Sequence, residues 1–241
     1  HLLPGIDDGA SNENATVDLM RKEEADGVRA VMFTPHFYYE RMGLDSFAEN
    51  RKAAYSVAVK ACQREGIRVA AKCGAEVHFT PALPFLDLSK LCFAGTHYIL
   101  VELPTNVHPA GIEETLYSIL QRGYTPILAH VERFPYVTEN PALLYNWVTM
   151  GCLAQVNANA FLRGGETAKA VHRYVKWNLI HLMASDAHSI KRRPPNLKDG
   201  HAALPADLSE YFMRNGEAVF FDREPSLPEP VEPKKLFGLW K

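Results

Sequence analysis

Acidic and histidine residues recur where the apolar runs of this chain stop. VMFTPH closes on His36, KCGAE on Glu76, YILVE on Glu102 and ILAH on His130, while LMASDAH supplies Asp186 and His188. The opening stretch, HLLPGIDDG, adds His1, Asp7 and Asp8. A strand that commits its apolar residues to burial and then offers one oxygen or nitrogen donor is how α/β barrels build metal sites. Of the neighbours Asp7 and Asp8, one is expected to be a ligand and the other to hydrogen-bond within the turn. The set His1, His36, Glu76, Glu102, His130, Asp186 and His188, with one of Asp7 and Asp8, exceeds what one ion takes, about four to six donors. It suits roughly two or three ions sharing carboxylates. With no thiolate among the donors, Mn²⁺, Fe²⁺, Zn²⁺ and Mg²⁺ are all compatible.

Such ions polarise a phosphoryl or carbonyl group and bring the pKa of water toward neutrality. Arginines decide between those substrates. Arg133 follows His130 by three residues, and Arg192-Arg193 comes just after His188, where guanidinium forks would meet phosphate oxygens. Metals and arginines at one rim favour phosphate esters over amides.

Other residues have plainer roles. His97, His108, His172, His181 and His201 end no apolar run in this pattern and are expected at the surface or hydrogen-bonded in the core. His78 lies two residues after Glu76, on the same strand face, and is expected to support the ligands. Cys62 and Arg68 match the spacing of cysteine-dependent phosphatases, but the order of elements is reversed. Such a cysteine must follow a strand and face a helix N-terminus. Cys62 instead belongs to a helix stopped by Gly66, at the end that disfavours a thiolate.

The elements that position these residues alternate. Helices are expected from Ser11 to Asp26, Asp45 to Glu65, Pro109 to Gly123, Asn140 to Gly151, Gly165 to Trp177 and Ala206 to Asn215, several stopped by glycine. Strands are expected over 28–34, 67–79, 97–103, 124–129, 152–156, 179–185 and 218–221. Seven or so βα units in one domain spanning residues 1–241 predict a TIM-like (β/α) barrel with fewer than eight units. The proline-rich tail, residues 223–241, is expected to be extended over the surface or loose. The chain lacks an initiator methionine and is expected to be truncated just upstream of His1, inside a first strand whose last residues survive here.

At 241 residues and 47% hydrophobic, the chain can bury one sizeable core. A net charge of −2 gives no support for a nucleic-acid surface. No apolar run reaches the ~18 residues of a membrane span, so no membrane insertion is expected. Four cysteines without paired spacing read as reduced thiols, which makes the cytoplasm the expected location.

HLLPGIDDG, TPH, GAE, VELP, LAHVERF and ASDAH followed by RRPP resemble the polymerase and histidinol phosphatase (PHP) superfamily. Within it they resemble the bacterial capsular-polysaccharide tyrosine phosphatases of the CpsB type. The likeness runs over nearly the whole chain in motif order, and the opening motif is its specific part. It implies a distorted barrel with up to three metal ions, often manganese. By analogy one ion would take His1, Glu76 and Asp186, with a further histidine that would lie upstream of His1. A second would take Glu76, Glu102 and His130, and a third Asp8, His36 and His188. Arg133 and Arg193 match the phosphate-gripping arginines, Arg192 being the poorer match.

The resemblance implies a metal-dependent protein-tyrosine phosphatase acting on the phosphotyrosine tail of a bacterial tyrosine autokinase that governs exopolysaccharide synthesis. Phe37, Tyr38 and Tyr39 are then expected to form an aromatic rim for the substrate. Two alternatives stay open: another PHP-type phosphoesterase, acting on a histidinol-phosphate-like metabolite or a nucleic-acid phosphodiester, and a non-catalytic, metal-stabilised partner of the kinase. Composition does not bear on oligomeric state.

Overall fold

Six of the seven expected strand runs are extended, and every ladder among the first eight strands is parallel. These come from a computed structural model that describes residues 1–236 and 239–240. A turn over the first nine residues leads to α1 (Glu13–Ala25), capped by the Asn12 side chain, then β1 (Ala30–Phe33) and β2 (His36–Phe37). Helix α2 (Leu44–Arg64) follows, then β3 (Ala70–Cys73), β4 (Glu76–His78), β5 (Tyr98–Glu102), α3 (Ile112–Gln121) and β6 (Thr125–Leu128). The second half runs α4 (Pro135–Glu139), α5 (Ala142–Met150), β7 (Leu153–Asn157), α6 (Asn159–Leu162), α7 (Glu166–Lys176), β8 (Leu182–Ala184), α8 (Leu197–Ala202) and α9 (Ala206–Phe220). A short ribbon, β9 (Lys235–Leu236) with β10 (Leu239–Trp240), closes the tail.

The main sheet has the order β2-β4-β5-β6-β7-β8, and β1 pairs with β3 in a second sheet. The two sheets are continuous through bends. β1 passes into β2 across Pro35, and β3 passes into β4 across Gly74, with Gly74 N–H donating to Phe33 and Glu76 N–H to Pro35. That is why the single strand expected over 67–79 divides. At Gly74 a side chain would stand 2.5 Å from the Phe93 ring, so only glycine lets that loop pass. Helices cover the sheets, and one apolar cluster joins β4–β7 to α3, α5 and α7 around Trp147, Leu116 and Val171. A second fills the space between α1, α2, β1 and β3 around Leu3, Leu19 and Phe33. The result is an α/β fold built on parallel sheets. Among the described residues no ladder joins β8 to β1 or β2.

Of residues 218–221, expected as a strand, the first three instead complete α9 and Phe221 is its C-cap. A short apolar run does not by itself tell helix from strand. Phe212, Asn215 and Val219 bury one helical face, and Val219 packs on Tyr98, Ile127, Leu153 and Leu182. The tail is extended and anchored over its described part. Val231 N–H donates to Trp177, Asn178 donates to the Glu229 carbonyl, and the Trp240 indole donates to Glu139. Among the described residues no helix is long and apolar enough to cross a membrane.

Candidate metal centre

Sheet register begins the site. His36 opens β2 opposite Glu76, the first residue of β4, and His78 lies opposite Glu102, the last residue of β5. His130 and Asp186 sit two residues past β6 and β8, both in the left-handed region, with φ of 33° and 51°. Residues without glycine's freedom hold that conformation when the surroundings impose it, and such strain gathers at functional sites. At the amino end, Asp7 accepts from Gly9 N–H at 3.0 Å and from His36 N–H at 3.1 Å. A side chain at Gly9 would collide with the His1 carbonyl, so glycine there lets the turn fold against His1.

The eight expected ligands converge. His1 Nε2 lies 2.7 Å from Glu76 Oε2 and 3.5 Å from Asp186 Oδ1. His130 Nε2 is 2.8 Å from Glu76 Oε1 and 3.3 Å from Glu102 Oε1. Asp8 Oδ1 is 3.4 Å from His36 Nε2 and 3.5 Å from His188 Nε2. Donor atoms that all lie within 4.8 Å of one another form three sets: His1 with Glu76 and Asp186; His1 with Asp8, His36 and His188; and His36 with Glu76 and Glu102. The first is the expected trio, the second is the expected trio joined by His1, and in the third His36 stands where His130 was expected. His130 adjoins that third set through both carboxylates.

Several features of this cluster fit divalent cations. Buried nitrogens His36 Nδ1, His130 Nδ1 and His188 Nε2 have no hydrogen-bond partner, a costly state for polar atoms in a dry interior. His188 donates from Nδ1 to the Asp186 carbonyl at 2.9 Å, which leaves Nε2 as a bare lone pair facing Asp8. Burial lowers the His188 pKa to about 4, so its ring is neutral, as a ligand must be. Elsewhere the protein balances the charge with protons. Burial alone would lower His1, but hydrogen bonds to Asp7 and Glu76 outweigh it and raise the ring to about 10. Burial likewise opposes, and Glu102 and Glu76 overcome, in raising His130 to about 9. Glu76 is held well below the ordinary carboxylate range: burial opposes this, and the His1 and His130 hydrogen bonds prevail. Nitrogen and oxygen donors this dense, charged and short of partners match Mn²⁺, Fe²⁺, Zn²⁺ or Mg²⁺.

Arg133 donates to Asp186 Oδ2 at 2.6 Å, and Arg193 donates to the same oxygen. Arg192 is exposed and reaches none of these groups. Tyr38 lies over the cluster, its ring 5.4 Å from His36 and 5.2 Å from His78, with the Arg41 guanidinium 4.4 Å from its centroid. Tyr39 is exposed. Phe37 does not belong to an aromatic rim: alternation along β2 turns it away from His36 into the core, 1% exposed against Phe47. A groove of 880 Å³ opens beside Asp8, His36 and Tyr38, between the amino-terminal turn and α2.

His78 Nδ1 lies 3.3 Å from Glu102 Oε2, a supporting position. The histidines set aside as non-ligands are all remote from the cluster; His181, for instance, accepts from Ala154 N–H in the core. Cys62 is buried within α2 and its thiol is pushed up by burial, so it has no thiolate character. Two site residues escape a search restricted to ionisable groups. Gln155 and Asn157 lie on β7, buried beside the cluster, and Asn157 donates to Asp186 Oδ2 at 3.0 Å. The signal was present in QVN, a polar end to an apolar run.

The family model for capsular polysaccharide synthesis proteins, CpsB/CapC, matches residues 1–220. The tyrosine-protein phosphatase YwqE of Bacillus subtilis is 32% identical, covering 100% of this chain and 98% of its own. The putative tyrosine-protein phosphatase CapC of Staphylococcus aureus is 28% identical over 99% and 97% of the two chains. A crystal structure from work on YwqE and on CpsB of Streptococcus pneumoniae, described as metal-dependent tyrosine phosphatases, superposes with a TM-score of 0.87. It shares 28% identity and covers 97% of each chain.

Proposed function

The chain belongs to the CpsB/CapC family of capsular polysaccharide synthesis proteins, and on that premise we propose that it is a metal-dependent protein-tyrosine phosphatase. The observation that carries this reading is the meeting of eight nitrogen- and oxygen-bearing side chains with two arginines around Glu76 and Asp186. His1, Asp8, His36, Glu76, Glu102, His130, Asp186 and His188 would hold two or three divalent ions, Mn²⁺ foremost. When bound, such ions supply Lewis-acid polarisation of a phosphoryl group and lower the pKa of water.

The chain's own residues do the rest. Arg133 and Arg193 both spend their guanidinium hydrogen bonds on one oxygen of Asp186. An arriving phosphate offers them a better bidentate partner and draws them onto its oxygens, where they stabilise charge developing during transfer. Tyr38, held by Arg41 and tilted against His36, would line the path of the substrate's aromatic ring, with Tyr39 at its mouth. The groove of 880 Å³ has room for an extended peptide entering beside the phosphoryl site. That geometry suits the phosphotyrosine tail of a cytoplasmic-facing tyrosine autokinase in exopolysaccharide synthesis, and with it a cytoplasmic enzyme.

The strands read best as one domain, a distorted barrel left open between β8 and β2. Support comes from Asp186 beyond β8, which reaches His1, and from Asp7, which joins His1 to β2 across that opening. The test is turnover of a phosphotyrosine peptide beside histidinol phosphate and a short oligonucleotide, each with Mn²⁺ and with EDTA. Metal-dependent release from the peptide alone is expected; preference for either other ester would replace this substrate.

A further inference from the structure

Between His130 and Asp186, the two left-handed corners of the centre, runs a chain of buried side-chain amides. Gln155 and Asn157, 6% and 5% exposed, sit two residues apart on β7 and share its inner face. The His130 N–H donates to Gln155 Oε1 at 2.8 Å. Gln155 Nε2 donates to Asn157 Oδ1 at 3.0 Å, and Asn157 Nδ2 donates to Asp186 Oδ2 at 3.0 Å. The backbone of Asn157 is fixed in turn, its N–H donating to the buried Glu132 carboxylate at 3.2 Å.

The direction of this chain is forced. A backbone N–H only donates, so Gln155 must face it with oxygen, which turns the Gln155 amide nitrogen toward Asn157. Asn157 must then accept with its oxygen and present its nitrogen to Asp186, whose carboxylate only accepts. Flipping either amide sets donor against donor or acceptor against acceptor, in a site too buried for water to relieve it.

We propose that Gln155 and Asn157 are positioning residues that lock Asp186 with Oδ2 held and Oδ1 presented to the metal centre, and that tie this orientation to the His130 corner. This rests on the metal-phosphatase reading above. Asp186 Oδ2 has three donors, Asn157, Arg133 and Arg193. Once the arginines turn to a phosphate, Asn157 is the donor that remains. Oδ1 meanwhile faces His1 Nε2 at 3.5 Å and His188 Nδ1 at 3.6 Å. A carboxylate free to rotate would lose that aim at the moment the arginines leave.

Near-isosteric variants of the full chain test this. Asn157→Asp sets a carboxylate against Asp186. Gln155→Glu still accepts from His130 but cannot donate, so it invites the Asn157 amide to flip. Calorimetric titration with Mn²⁺ should show binding weakened by about 10–100-fold in each variant, the usual cost of losing a ligand's outer partner. Turnover of a phosphotyrosine peptide should lose kcat with KM little changed, since neither side chain reaches the groove. Circular dichroism should remain that of the parent, and these variants keep the test open even if Asn157→Ala does not fold. Mn²⁺ affinity within about twofold of the parent in both variants would overturn the proposal. A parent that binds no Mn²⁺ would remove the metal centre itself, and the lock with it.

Discussion

At the amino-terminal end of the parallel strands, His181 is buried and neutral, its pKa lowered to about 4 by burial, with Nδ1 accepting from Ala154 N–H. Around it Asn215 and Tyr98 are paired with protein. Asn215 donates to the His181 and Ser226 carbonyls and accepts from Ser226 N–H, and the Tyr98 hydroxyl donates to Arg223. The left-handed residues at that end are Asn178 and Asp222. At the opposite end His130 is as deeply buried, yet its pKa is raised to about 9 against two carboxylates, and its Nδ1 has no partner. There the left-handed residues are His130 and Asp186. One end pairs most of its buried polar atoms with protein, the Tyr211 hydroxyl beside Asn215 excepted. The other concentrates charge and unpartnered ring nitrogens, which is the physical signature of a binding centre rather than of a core.

Substitutions should therefore separate by end. Glu76→Gln, which removes the carboxylate shared by His1 and His130, should cost several kcal/mol of transition-state stabilisation. At 1.4 kcal/mol per decade that is on the order of a thousandfold in kcat/KM, measured on a phosphotyrosine peptide. Arg193→Ala should cost about a hundredfold, the scale of losing one preorganised donor to developing charge. Retained activity in either variant would break the contrast. At the amino-terminal end, Asn215→Ala should lower stability by about 1–3 kcal/mol by denaturant unfolding and leave kcat unchanged.

Glu23 sharpens the comparison further. It is a buried carboxyl like Glu76 but has no histidine against it. Burial raises its pKa to about 7, opposed weakly by a hydrogen bond from Ser185. An acid whose folded pKa exceeds its unfolded one favours the fold while protonated, so stability is full below about 4.5 and falls as pH rises toward 7. Glu23→Gln should thus stabilise the protein at pH 8, by roughly 3 kcal/mol at most, and scarcely at pH 4. Equal effects at both pH values would contradict the assignment.

Much of the fold was legible in the sequence because strand ends announce themselves: an apolar run that stops on His36, Glu102 or His130 states both burial and a candidate ligand. Glycine stops at Gly27, Gly66, Gly123 and Gly151 fell where left-handed turns end helices. What was missed depended on tertiary context. The bend at Gly74 follows from the approach of Phe93, and residues 218–220 are helical because of what Val219 meets. Phe37 looked like a rim residue beside Tyr38 and Tyr39, but pleating sends it inward. Phe37→Ala should accordingly act as a core truncation, costing about 3–5 kcal/mol of stability. Tyr38→Ala should instead raise KM several-fold. Gln155 and Asn157 carry no charge, and only the fold reveals that they face Asp186.

The central claim is that the ligand-rich end is a phosphatase centre and that thiol chemistry has no part in it. Initial rates on a phosphotyrosine peptide, with Mn²⁺, with EDTA and in Cys62→Ser, test it most directly. The account predicts turnover that requires Mn²⁺, disappears with EDTA and is unchanged in Cys62→Ser. Turnover that persists in EDTA and is lost in Cys62→Ser would contradict it.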